Sequence, residues 1–378
     1  MVTVQKYVGL EMLPSSYQKL FAQAGKKNFF LSLPWFQNFT RTVLEQDDRV
    51  WVYGIESSDS VVSPLGALLL WARQRPHSWL SPVILQGLSN YYSCYFGPVL
   101  ADEPGNLEEL AHAWTKALWT DRDAWDVFNI RPLDVDTDIY PALLSALKDG
   151  GLLTQTYFCF GNWYLAVNER SYKEYFDNLP SPMKSTLKRK TKKFRQHNGA
   201  RIEIVTKLRD VDTAIADYEK VYKASWKTPE PYSQFMPGLI RTCAEAGWLR
   251  LGIASVNGEP IAAQVWIVNG EVASIYKLAY DERFAQFSAG SILTAQLMEY
   301  VLDEDRVREV DYLSGDDDYK QTWMSDRRER WGILAFNPRS MRGLAQATLH
   351  VGGRGAKHAL VRLLGEKRTT RFPTRASF

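Results

Sequence analysis

Gly315 is followed by Asp316, Asp317, Asp318, Tyr319 and Lys320, so carboxylates, a phenol and an ammonium share one short stretch after a strand-like run. Such a set suits acyl transfer, in which a base deprotonates the nucleophile and an acid protonates the leaving group. Asp316 is expected to be the base or an orienting carboxylate, Tyr319 the proton donor and Lys320 a further catalytic cation. The same residues also suit plain capping, because Asp is favoured at a helix start. Lys277 is a fourth catalytic candidate. Strand alternation groups it with Ala273, Ile275 and Ala279, which aims its ammonium into an apolar surface and calls for a partner such as Asp311 or Asp316, or a role at an oxyanion. At a sheet edge it would instead snorkel to water.

A second signal is the run Phe287, Ser288, Ala289, Gly290, Ser291. A loop with glycine that opens a helix offers unpaired N–H groups and the positive end of a helix dipole, which is an anion site. Arg283, a few residues upstream, can add a cation. Ordinary capping by Ser288 or a neighbour is the competing reading.

These residues need elements to hold them. Residues 1–150 alternate strand-like runs (from Val50, Ala67 and Asp126) with helical stretches near Pro34–Leu44 and Leu107–Leu118, a mixed α/β pattern. The aromatic run Asn90–Val99 suits core packing, with a pocket lining as the alternative. From about Phe160 the pattern restarts: a strand, a basic helix capped by Ser181 and stopped at Asn198-Gly199, a strand from Arg201, and helices at Val211–Trp226 and Gln234–Ala246. Runs from Leu249, Ile261 and Glu271, joined by Asn257-Gly258 and Asn269-Gly270, form an antiparallel meander, because both positions of an Asn-Gly turn take positive φ. A helix, a strand from Arg308, the acidic loop with its short helix and a last strand from Trp331 complete the order. No linker rich in Pro, Gly or Ser divides the halves, so close packing is expected.

The 378 residues carry 24% charged and 45% hydrophobic side chains, which fits two or three folded domains and excludes a disordered or collagen-like chain. No apolar run is long enough to span a bilayer, and the N-terminus reads as having no secretory leader, so the expected location is cytoplasmic. Cys94, Cys159 and Cys243 have no metal-type spacing and read as reduced structural thiols, so no metal is expected. The five histidines form no HxH or HxxxH pair, which disfavours histidine catalysis. Net charge is +3, yet residues 337–378 hold nine Lys or Arg against one Glu. The paired Gly352 and Gly353 weaken a continuous helix, so that tail reads first as a mobile basic segment, with an anionic membrane surface at its inner face as the alternative. A second basic cluster, Lys184–Lys193 with Arg195 beyond, lies on the helix whose apolar stripe is Met183, Leu187, Thr191 and Phe194. It is either a solvated face or a phosphate-recognising one.

The segments Tyr276–Leu293 and Val310–Trp323, together with Ser181–Phe194 and the Ser225–Lys227 triplet, resemble the GNAT acyltransferase superfamily. More narrowly they look like the FemAB-like branch that includes the CelD cellulose-biosynthesis proteins. The likeness covers about 160–336. It implies an α/β (α+β) fold of two tandem GNAT-like domains, each a largely antiparallel mixed sheet flanked by helices. The first, 1–155, would be a degenerate companion, 156–337 the acyltransferase, and 338–378 the basic tail. It further implies acetyl-CoA or a longer acyl-CoA as donor, its diphosphate on Ser288, Ala289, Gly290 and Ser291 with Arg283, and its pantetheine arm beside Leu278 and Tyr280. Gln264, Trp226, Lys227, Lys190 and Trp323 would meet the acceptor, a metabolite or a cell-envelope or polysaccharide precursor, acylated on nitrogen in preference to oxygen; for Gln264 a satisfied core amide is the stronger reading, and for the two tryptophans packing is the alternative. The loop reads Ser-Ala-Gly where GNAT loops carry a fuller Q/R-x-x-G-x-G/A pattern. The alternatives are a Fem-type transferase drawing its acyl group from charged tRNA, whose backbone would run along the basic surfaces, and a non-catalytic component of a synthase complex.

Overall fold

The computed structural model describes residues 2–57, 63–73 and 81–350. In the first half, β1 (Val2–Val8) leads through α1 (Ser16–Lys27) and α2 (Leu33–Val43) to β2 (Asp48–Ser57) and β3 (Pro64–Arg73). Then come β4 (Ile84–Gly87), β5 (Val99–Leu100), α3 (Leu107–Thr120), β6 (Val127–Asp134) and α4 (Ile139–Asp149). The second half opens with β7 (Leu153–Ala166), α5 (Tyr172–Asn178), α6 (Ser181–Gln196), β8 (Ala200–Val205), α7 (Val211–Lys223) and α8 (Phe235–Glu245). It continues with β9 (Leu249–Val256), β10 (Glu259–Asn269), β11 (Val272–Tyr280), α9 (Ala289–Glu299), β12 (Glu309–Ser314), α10 (Asp318–Trp323) and β13 (Asp326–Phe336).

Two turn chemistries build the meander. Asn257 and Gly258 both take positive φ (52° and 79°), as a two-residue hairpin between paired Val256 and Glu259 requires. The second turn differs from expectation. Asn269 pairs with Val272 inside the ladder, so the turn residues are Gly270 and Glu271, and only Gly270 has a positive φ. Helix α6 also starts one residue early: Pro180 holds the N-cap position, and Ser181 makes no capping bond.

All described strands join one sheet, in the order β1-β2-β3-β4-β6-β13-β7-β12-β11-β10-β9-β8, with β5 beside β3. Only β4–β6 and β11–β12 run parallel among these strand pairs. The continuity comes from β13, which pairs with β6 on one side and with β7 on the other, so the last strand is shared by both halves. A division at 155/156 therefore falls inside β7. Arg328 on β13 ties the centre together. Its guanidinium donates to Asn162 on β7 at 2.7 Å, and to Glu309 (2.6 Å) and Asp311 (2.7 Å) on β12.

Among the described residues two large cores cover the sheet. One packs α7 and α8 between the second-half strands and the first-half helices, with Trp35, Tyr92, Tyr218, Phe235 and Tyr276 buried together. The other sets α9 and the Leu187 and Phe194 face of α6 on the opposite surface of β10 and β11. The structure is thus mixed α/β with a large, mainly antiparallel sheet. Residues 341–350 are helical, and the rest of the basic tail lies outside the described residues.

Candidate functional site

Parallel strands β11 and β12 are joined only where Val272–Ser274 face Glu309–Asp311. Beyond that point β11 runs on to Tyr280 along β10, while β12 turns to its other neighbour and bridges Ser314 to Asn162. The two strands diverge, and the gap is a cavity of about 360 Å³. Ile275, Lys277 and Leu278 line one wall, and Tyr312, Leu313 and Ser314 the other. Asp317, Tyr319 and Lys320 of the acidic loop, Trp226 and Lys227 of the loop after α7, and Tyr91, Tyr92 and Cys94 of the first half close it.

Asp311 holds the split at its base. It accepts from Asn162 Nδ2 (2.5 Å), the Leu313 amide (2.7 Å) and Arg328. Leu313 sits at φ 57°, a left-handed position that costs a branched side chain energy and marks where β12 bends away.

Lys277 enters this cavity by an irregularity. The β10–β11 register slips between Val265/Lys277 and Trp266/Ile275, so Tyr276 is a bulge residue. A bulge resets the alternation. Lys277 therefore shares the Tyr276 face and lies opposite Ala273 and Ile275, which correct the grouping expected from strict alternation. Its partner is neither Asp311 nor Asp316. Lys277 Nζ donates to Glu230 at 2.9 Å and lies 5.2 Å from the Tyr92 ring centre. Glu230 also accepts from the hydroxyls of Tyr92 (2.6 Å) and Tyr91 (3.1 Å). Burial pushes this carboxyl up, but the bonds from Tyr92 and Lys277 outweigh it and leave it below the usual carboxylate range. Glu230 was not among the sequence candidates. Its signal is the frame Pro229-Glu230-Pro231, where two prolines restrict the backbone around one carboxylate.

The acidic loop divides its duties. Asp316 turns out of the cavity into a two-pronged bond with Arg327 (2.8 and 2.7 Å), and hydrogen bonding from Arg327 holds its carboxyl below the usual range. A carboxylate so held is a poor base, which corrects the assignment of that role to Asp316. Asp317 lines the cavity in its place. Lys320 is buried, donates to the Ser314 carbonyl and lies 3.7 Å from Asp317; burial pushes its ammonium pKa down. Tyr319 stands edge-on to Tyr312 at 5.6 Å. Burial, then the charge of Asp317, raises its phenol pKa, so it stays protonated at neutral pH.

Tyr280 connects the cavity to the start of α9. Its ring lies 4.6 Å from that of Trp226, which lines the cavity, and a Cβ at Gly290 would come no closer than 3.5 Å to it. Ser288 occupies the N-cap position at φ 53°, ψ 38° and makes no capping bond. A normal N-cap is extended and uses its oxygen on the N2 or N3 amide; here the first-turn amides of Ala289, Gly290 and Ser291 have no side-chain cap, correcting the expectation that Ser288 caps. Lys190 reaches the same loop from α6, donating to the Gln286 carbonyl at 3.1 Å.

Three other candidates are engaged elsewhere. Arg283 is held by Asp281 (2.6 Å) and Glu259 (3.0 Å), so it is no free cation for a diphosphate. Gln264 is buried and spends its amide on the Gly290 carbonyl and Thr294 Oγ1 (2.8 Å each), and its oxygen on Trp266. It pins the first turn of α9 and has no capacity for an acceptor. Trp323 is buried in the second core, with its carbonyl taken by the Tyr175 hydroxyl, and walls no acceptor site. Cys94, read as a structural thiol, borders the cavity, and burial raises its pKa. Among the described residues no group of His, Cys, Asp and Glu could hold a metal, and no helix is long and apolar enough to cross a membrane.

Residues 181–321 match the family described as the acetyltransferase (GNAT) domain. No curated protein matches the chain by sequence. Among solved structures, the chain is similar to FemX (TM-score 0.60, 12% identity, covering 88% of this chain and 98% of that one). It is also similar to a conserved protein of unknown function from Bacteroides thetaiotaomicron (0.54, 11%, 86% and 98%). A third likeness is to a tandem GNAT protein from the clavulanic acid biosynthesis pathway (0.50, 11%, 89% and 99%). These likenesses are of fold, and the fold is that of tandem GNAT proteins.

Proposed function

We propose that this protein transfers an acyl group from an acyl-CoA to an amine, with the β11–β12 split as the reaction chamber. The observation that carries the reading is the open split itself, with Tyr280, two residues beyond the wall residue Leu278, beside the uncapped start of α9 at Gly290. In this reading the amides of Ala289, Gly290 and Ser291 hold the donor diphosphate, Lys190 adds charge, and the pantetheine arm passes Leu278, Tyr280 and Trp226. The thioester then faces Asp317, Tyr319 and Lys320.

The acceptor amine attacks the thioester carbonyl. A C–N bond forms and the C–S bond breaks; Asp317 takes the amine proton, and Tyr319 donates one to the departing thiolate. The acceptor is a metabolite or an envelope or polysaccharide precursor. The solvated cations of α6 support a second reading, in which charged tRNA is the donor and its backbone runs along Lys184–Arg195.

Thermal unfolding with acetyl-CoA separates the two, because a ligand that binds the native state raises its stability. The first reading expects stabilisation by acetyl-CoA, lost in Ser291→Glu. Stabilisation by tRNA alone, weakened by salt, would replace it with the second.

A further inference from the structure

Three ammonium groups meet in the cavity, and two are accounted for. Lys277 is paired with Glu230 at 2.9 Å, and Lys320 is engaged by the Ser314 carbonyl with Asp317 at 3.7 Å. Lys227 differs. Among the described residues no carboxylate lies within ion-pair distance of it, and its ammonium makes no hydrogen bond. Its neighbours are the faces of Trp226 and Tyr222, with ring centres 5.7 and 6.0 Å away.

The charged and titratable groups around it are Lys277 on β11, Lys320 and Tyr319 on α10, Glu230 and Asp317 on the flanking loops, Tyr222 on α7, and Tyr91, Tyr92 and Cys94 of the first half. Burial and the like charge of Lys277 together push the Lys227 ammonium down to about 8, with Glu230 opposing them. A half-buried cation facing an open cavity with no carboxylate in ion-pair contact gains most from an incoming anion. The mouth adds shape to this demand, because Tyr91, Trp226 and Tyr319 are the large exposed aromatics on its rim and offer flat apolar surface.

We propose that Lys227 anchors an anionic group of the acyl acceptor, so that the acceptor is an amine that also bears a carboxylate or a phosphate. The inference rests on the reading of this cavity as the transfer chamber. The anion sits against the Lys227 ammonium, the acceptor body lies along the aromatic rim, and the amine is left facing the acid–base pair.

The test uses the full chain and inorganic phosphate, with acetate in parallel and chloride at equal ionic strength as the reference. Each lysine's reaction with acetic anhydride is followed by peptide mass spectrometry as a function of pH. Only neutral amine reacts, and a paired anion favours the ammonium, so at pH 8 phosphate should slow Lys227 labelling about threefold or more. Exposed Lys173 should not respond. The protection should be full below about 8 and fade as pH rises further, because the anion binds only the protonated form. Equal protection by acetate would assign a carboxylate as well as a phosphate.

Labelling of Lys227 that ignores both anions overturns the proposal. So would anion protection of Lys277 or Lys320 with none at Lys227. Acetyl-CoA stabilisation is measured on the same samples and on Lys227→Met. Its absence from both proteins would count against the donor reading while leaving the labelling result to decide the role of Lys227.

Discussion

The two halves share one plan and finish it differently. In the second half, parallel β11 and β12 pair over three residues and then part around a cavity, and the helix that follows β11 begins with uncapped amides. The first half has the same parallel pairing over three residues, between β4 and β6, but the space beyond is occupied by its own chain. Phe96 donates its amide to the Pro132 carbonyl at 2.7 Å, and Ser89 Oγ donates to the Arg131 carbonyl at 2.6 Å. The buried Phe96 ring lies so close to Gly87 that a Cβ there would come within 2.7 Å of it. The helix after β4 is also closed to anions: Asn106 accepts from the Glu108 and Glu109 amides of α3, and two acids occupy that first turn. An open split and a bare helix start therefore occur together, and so do a filled split and a capped, acidic one. The first half contributes to the cavity by lending Tyr91 and Tyr92 from the very segment that fills its own split.

The comparison can be broken by exchanging these features. The largest effect is expected at the acid pair: Tyr319→Phe should lower kcat for acyl transfer by about 100-fold or more, the usual contribution of a positioned proton donor. Asp316→Asn should change kcat far less, because Asp316 is bound to Arg327. Equal losses in both variants would return the base to Asp316. Next, Ser291→Glu gives α9 the acidic first turn of α3. The added dipole interaction should leave stability unchanged or raise it by about 0.5 kcal/mol, while acetyl-CoA affinity drops about tenfold or more. Calorimetric binding with a parallel melt separates the two effects.

A pH-dependent effect follows at Lys227. Its ammonium pKa is lowered in the folded chain, so the penalty for burying the charge is fully present below about 8 and disappears once the unfolded chain also loses the proton, above about 10.4. Lys227→Met should stabilise the protein at pH 7 by about 1 kcal/mol, a figure discounted for partial exposure, and the gain should vanish as pH rises to that upper limit. A pH-independent effect would contradict this. Smallest is Asn106→Ala: about 1 kcal/mol of stability lost from α3 with donor binding untouched.

The repeating plan was legible where local chemistry decides it. Asn257-Gly258 announces its turn, and the apolar spacing of Leu187 and Phe194 fixes the buried face of α6. The site was only half legible because its geometry depends on long-range pairing. One bulge at Tyr276 reverses the face of Lys277, and no composition signal marks it. Arg327, which takes Asp316 out of the cavity, is placed by the pairing of β13 with β7, strands about 160 to 180 residues apart in the chain. Gln264 and Trp323 have the residue types of a binding site, but Gln264 is spent on Gly290, Thr294 and Trp266, and Trp323 is packed in the second core with its carbonyl taken by Tyr175. Glu230 was overlooked because its partners Tyr91 and Tyr92 come from the other half of the chain.

The most direct measurement is a structure of the protein with acetyl-CoA bound. The diphosphate is expected on the amides of Ala289–Ser291 and the thioester between β11 and β12, within reach of Tyr319. A cofactor lodged anywhere else, with the β11–β12 split left empty, would contradict it.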